Sequence, residues 1–122
     1  MGPLAWQHYR EPCGVAGEWL RGDRVATGAA GAVSDGVQVI MQLRVAENGL
    51  IDAVRWQAMG PPEVIAASSW LATTLPGVSV AAAGEWSAVA LVQVLELSTE
   101  ATSHVLAVED ALTQALVSLP SL

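Results

Sequence analysis

Lysine and phenylalanine are absent from the sequence, and cysteine occurs once, at Cys13. A single thiol excludes an internal disulfide and a metal site made of four thiolates from one chain. With no basic cluster around it, Cys13 reads as a small, half-buried hydrophobe beside a turn and not as a nucleophile. Without lysine, all fixed positive charge rests on Arg10, Arg21, Arg24, Arg44 and Arg55, set against twelve acids for a net charge of -7. Beyond Arg55 come Glu63, Glu85, Glu96, Glu100, Glu109 and Asp110 and no fixed positive charge. Such a surface repels phosphate backbones and anionic headgroups, so neither nucleic acid nor membrane is expected as a partner, whereas a basic protein is compatible. Long hydrophobic runs are missing too. The most apolar, Trp86 to Leu97, is interrupted by Gln93 and Glu96 and is too short to span a bilayer. The opening MGPLAWQHYR lacks the basic region and apolar core of a signal peptide, and a soluble, cytoplasmic protein is expected.

What is present suits a folded domain: 52% of the 122 residues are hydrophobic and 14% charged, and the length fits a single domain over 1–122. Pro3, Pro12, Gly14 and Gly17 leave room for a short helix around Leu4 to Arg10, with Trp6 and Tyr9 on one face. Val25 and Thr27 suggest a weak edge strand that runs into a flexible loop from Gly28 to Gly36. In Val37 to Val45, Val37, Val39, Met41, Leu43 and Val45 alternate with Gln38, Ile40, Gln42 and Arg44, the period of a half-buried strand. Asn48 and Gly49 suit a tight hairpin turn with positive φ at both. That turn sets Leu43 opposite Val54, Met41 opposite Trp56 and Gln42 opposite Arg55, which gives one apolar and one polar face.

After the hairpin the period becomes helical. Pro61 and Pro62 suit a first helical turn, and Glu63 sits where the helix dipole favours an acid. Val64, Ala67, Ser68, Leu71 and Leu75 form the stripe, and Pro76 and Gly77 end it. Ser79 caps a short helix to about Trp86. Ala88 to Leu97 stays open between strand, for its valines, and helix, for the spacing of Gln93 and Glu96. Val105, Val108, Leu112, Ala115, Leu116 and Leu119 mark a final helix, with Glu109 and Gln114 off the stripe. Strands first and helices afterwards imply an α+β domain, a small three-stranded antiparallel sheet with helices packed on one face.

Five segments, in order and at matching spacing from about Leu4 to Leu119, resemble the U-type iron-sulfur cluster assembly scaffolds, the IscU and NifU N-terminal-domain family. HYREPCGVAG is similar to the family's HYxxPxNVG opening, with Gly14 for the asparagine. TGAAGAVSDG resembles its TGxVGAPxCGD loop, and MGPPEVIAASSW its YGCGxAIASSS helix start. LEL at Leu95 to Leu97 matches the end of a family helix, and HVLAVEDAL is similar to CSxLAxDAI. In the family three cysteines and an aspartate hold the nascent cluster through thiolate ligation. The resemblance places Asp35, Pro61 and His104 at the three cysteine positions. Val37 stands for the aspartate, Pro62 for the glycine after the second cysteine and Ser103 for the histidine before the third. No family thiolate survives. The LPPVK segment offered to an Hsp70-class chaperone has Ser98, Thr99, Glu100 and Ala101 in its place after Leu97.

Two functions follow. In the first, a degenerate scaffold relative still serves iron-sulfur assembly, with Asp35, Glu63 and His104 as candidate ligands for zinc or iron(II) and no self-assembled cluster. Against the ligand role, Asp35 reads as a loop residue bonded to nearby backbone and His104 as an ordinary helix-start residue. In the second, the chain is a non-catalytic binding module that docks or regulates a cysteine desulfurase or another protein. Trp6 and Trp19 are then interface candidates, and Trp56 is structural. Enzymatic activity is not expected. Ser68 and Ser69 have no histidine and acid at a recognisable spacing, His8 belongs to the N-terminal packing, and GAAGAVSDG lacks the lysine of a phosphate-binding loop.

Overall fold

Alternation along one strand organises the molecule. In the computed structural model, which describes residues 1–120, β2 (Val37–Val45) buries Val37, Val39, Met41, Leu43 and Val45 on one face. It lies between β1 (Val25–Ala32) and β3 (Ile51–Met59) in an antiparallel sheet of order β1-β2-β3. Leu43 pairs with Val54, Met41 with Trp56 and Gln42 with Arg55, as the alternation requires. The turn differs in detail from the expected two-residue form. Gly49 takes φ 82° while Asn48 keeps negative φ, and the Asn48 Oδ1 accepts the Leu50 N–H at 3.0 Å. A bulge opposite Arg44 and Val45 absorbs the extra residue, so the register beyond it is unchanged.

The helices are α1 (Pro3–Arg10), α2 (Pro62–Thr74), α3 (Val80–Ala83), α4 (Ala88–Val94) and α5 (Thr102–Val117). α5 covers β1 and β2, and α2 covers β3. Their buried stripes, Val64, Ala67 and Leu71 from α2 and Val105, Val108 and Leu112 from α5, close one core with the apolar face of β2. Among the described residues this is the expected α+β arrangement. Ser121 and Leu122, the last two positions of the expected 1–122 domain, lie outside the described residues.

Three expectations need correction or completion. β1 continues to Ala32, and only Val33–Asp35 turn between β1 and β2, so most of the expected flexible loop is strand. The reason is packing. A Cβ on Gly28 would overlap the Ala111 carbonyl oxygen and stand 2.5 Å from the Ala115 nitrogen, so the glycine lets α5 rest on the strand. Gln114 Oε1 accepts the Ala29 N–H at 2.9 Å and ties the helix to it. The Ser79 helix ends at Ala83, short of Trp86, with Ser79 Oγ accepting the Ala82 N–H. The open segment is helical over Ala88–Val94: Ser87 Oγ accepts the Ala90 N–H, and Glu109 Oε1 accepts the Ala88 N–H at 2.7 Å. At its far end the Glu96 and Leu97 N–H groups bond back to Gln93 and Val92, with Glu96 in the left-handed region at φ 52°.

The N-terminal segment wraps the sheet. Ala16 N–H donates to the Trp56 carbonyl and Trp56 N–H to the Gly14 carbonyl, along the outer edge of β3. Trp56, 2% exposed, donates its indole N–H to the Cys13 carbonyl at 2.6 Å, which bears out its structural role. The chain then crosses the sheet's second face, where Gln42 Oε1 accepts the Leu20 N–H and Gln42 Nε2 donates to the Leu20 carbonyl. One serine locks this wrap to α2. The Ser69 hydroxyl accepts the Cys13 N–H at 2.8 Å and lies 2.7 Å from His8 Nδ1. Because the oxygen already accepts, its proton is best placed on the Nδ1 of a neutral imidazole.

Two outcomes follow. Gly28→Ala is expected to destabilise by about 1–3 kcal/mol through overpacking, whereas Gly17→Ala, which meets nothing within 4 Å, stays within about 0.5 kcal/mol; urea unfolding measures both. Burial holds the His8 pKa below its ordinary 6.5. The stabilising neutral form is thus fully present above that value, and its contribution is lost as pH falls through the lowered folded-state value. His8→Gln is expected to remove this component, so the stability difference between wild type and variant shrinks below pH 6.5, read from urea midpoints across pH.

Candidate functional site

The three positions marked by the sequence all fall at one end of the sheet. The Gln38 to Met59 pairing closes the β2–β3 ladder there, just after the Val33–Asp35 turn and just before Pro61. Pro61 is the N-cap of α2 and Pro62 its first residue, so proline at these positions costs the helix no hydrogen bond. Glu63 stands in that first turn, toward the positive pole of α2. A short turn, Thr99–Ala101, delivers the chain into α5 and brings His104 to the same end.

Pro61, Glu63, Ser98, Glu100, Ala101 and His104 line a shallow cavity of about 190 Å³. The structure therefore brings Glu63 and His104 together and adds Glu100, which the sequence reading placed only in the altered chaperone segment. Asp35 is not among the lining residues; it closes its turn as an exposed side chain, with Gly36 N–H bonded back to the Val33 carbonyl. Among the described residues no three His, Cys, Asp or Glu side chains stand close enough to hold one metal ion. The expected set of Asp35, Glu63 and His104 is thus not gathered, because the turn carrying Asp35 stops outside the cavity where α2 and α5 meet.

Around this end Val33 is 65% exposed and Met59 43% exposed. The hollow itself carries two acids, Glu63 and Glu100, and no lysine or arginine in its lining. The one thiol lies elsewhere. Cys13 is exposed, contrary to the half-buried expectation, and its backbone is bound at Ser69, seven residues or about 10 Å along α2 from Pro62.

The structure also joins His8 to Ser69, a pair 61 residues apart that no spacing in the sequence announces. Ser69 is fully buried, its oxygen is already occupied by the Cys13 N–H, and the imidazole is held by no carboxylate among the described hydrogen bonds. The pair is a structural clasp. Of the interface candidates, Trp6 is exposed, stacked edge-on to Tyr9 at 6.0 Å with Arg10 5.8 Å from its ring, while Trp19 is half-buried. No helix among the described residues is long and apolar enough to cross a membrane.

Known proteins share both sequence and architecture. The chain is 30% identical over 109 residues to iron sulfur cluster assembly protein 1, mitochondrial, of Yarrowia lipolytica, a match that covers 89% of this chain and 60% of that protein. It is 28% identical over 109 residues to the iron-sulfur cluster assembly scaffold protein IscU of Haemophilus influenzae, covering 89% of this chain and 86% of that one. In structure it is similar to the N-terminal part of a NifU-like protein from Brucella abortus, with TM-score 0.72 and 15% identity over 96% of this chain and 92% of that one. A putative iron-sulfur cluster assembly scaffold protein from Fervidobacterium islandicum has the same fold, with TM-score 0.59 and 10% identity over 95% and 96% of the two chains. Residues 4–121 match the family described as the NifU-like N terminal domain, and to that family the chain belongs.

Proposed function

We propose that this chain acts in iron-sulfur cluster assembly as a non-catalytic docking module for a cysteine desulfurase, and not as a self-sufficient scaffold. The observation that carries the reading is the pairing of a retained site end with a changed donor set. Pro61 and His104 meet at one hollow, and none of its six lining residues is a cysteine. Iron-sulfur clusters are held by thiolates, and a proline offers no donor at all. Glu63 and His104 supply at most two of the donors a zinc or iron(II) ion needs, so an ion held there takes its remaining ligands from the docked protein. Exposed Val33 and Met59 at the same end of the sheet, together with Glu63 and Glu100 in the hollow, fit a partner that presents apolar and basic side chains.

Titration calorimetry of the chain with a purified cysteine desulfurase is expected to show a saturable complex. Met59→Glu is expected to weaken it by about tenfold, roughly the 1.4 kcal/mol of one good contact, with the urea midpoint unchanged. Absence of a complex, or affinity indifferent to Met59 and Val33, contradicts the reading.

A further inference from the structure

At the opposite end of α2 lies a second concave surface, independent of the docking reading. Thr74, Val78, Ala82, Glu85, Trp86 and Ala90 line a cavity of about 420 Å³ between the end of α2 and the α3–α4 turn. That volume is in the range of small-ligand sites. The Trp86 ring is held edge-on to Trp70, centroids 4.7 Å apart and planes at 81°, so its orientation is set before any ligand arrives.

Three electrostatic features of the cavity share one sign. Glu85 lies in its wall, exposed, and the ion pair found among the described residues is Arg44 with Asp52, elsewhere. Thr74 is the last residue of the 13-residue α2, whose last turn has no basic side chain to offset the negative pole of its dipole. Trp86 adds an indole ring to the lining, and the face of such a ring carries the negative part of its quadrupole. No arginine or lysine follows Arg55 in the sequence, so no cation from these later elements neutralises the site. Val78, Ala82 and Ala90 supply apolar walls, and no lining side chain is a charged donor that would hold an anion.

We infer that the Trp86–Glu85 cavity binds a small organic cation of the quaternary or alkyl ammonium class, the charged head against Trp86 and Glu85 and its methyl groups on the Val78, Ala82 and Ala90 wall. A metal ion does not suit the site, because a single carboxylate and one hydroxyl are too few ligands. A neutral ligand of the same shape gains the apolar contact and forgoes the charge.

The test is a titration of the full chain followed by amide NMR, with choline as probe and 3,3-dimethylbutan-1-ol as its uncharged isostere. Choline is expected to give saturable shifts confined to residues 74–90, and the isostere to bind about tenfold or more weakly. Glu85→Gln, an exposed change that leaves the remaining spectrum in place, is expected to weaken choline by about fivefold to tenfold. Trp86→Leu is expected to abolish binding, and Glu85→Gln keeps the proposal falsifiable should that variant fail to fold. Equal binding of the two probes, shifts centred on Glu63 and His104, or no saturable shift with choline overturns the assignment.

Discussion

The close seat of α5 on β1 is the constraint on which the rest depends. Gly28 leaves the space, Ala111 and Ala115 fill it without protruding, and Gln114 spends its amide oxygen on the Ala29 N–H. The Gln114 contact also gives the Ala29 N–H of this edge strand a partner. With α5 pressed there, Val105, Val108 and Leu112 reach the apolar face of β2, and the start of the helix is carried to the start of α2. The position of His104 beside Pro61 and Glu63 is therefore a consequence of packing some ten residues further along the same helix.

The chemistry of that end is governed by which donors are present. A family fold brings the ends of β3, α2 and α5 together, and here the hollow they form offers carboxylates, an imidazole and proline carbons. Hard and borderline ligands without thiolate do not build iron-sulfur clusters. The one thiol does not line this hollow: the Cys13 backbone is anchored to Ser69 and Trp56, about 10 Å along α2 from Pro62. What this end offers is a shallow hollow with two acids in its lining and exposed Val33 and Met59 at the same end of the sheet.

Much of this was legible in the sequence where one physical pattern spoke alone. The alternation of Val37 to Val45 gave strand and face, and the β3 partners of Met41 and Leu43 followed from the hairpin. Where small residues were involved the same reasoning misled, because Gly28 to Ala32 looks flexible locally and is rigid only once α5 lies on it. Asn48 contributes its side-chain oxygen and not a left-handed backbone, a choice its identity leaves open. Ala88–Val94 is a helix because Ser87 and Glu109 satisfy its first N–H groups, and the Glu109 contact crosses from α5. For the site, helix-start positions such as Pro61, Glu63 and His104 were readable from motif and capping. The separation of Asp35 from them was not, since the distance between two loops is set by tertiary packing.

The most direct test of the account is anaerobic reconstitution of the purified chain with iron and sulfide, followed by iron and sulfide analysis and the visible charge-transfer absorption of bound clusters. No cluster is expected to remain after desalting, in wild type and in Cys13→Ser alike. A stoichiometric cluster that survives desalting would contradict it and would show that this site end ligates a cluster without the thiolates it lacks.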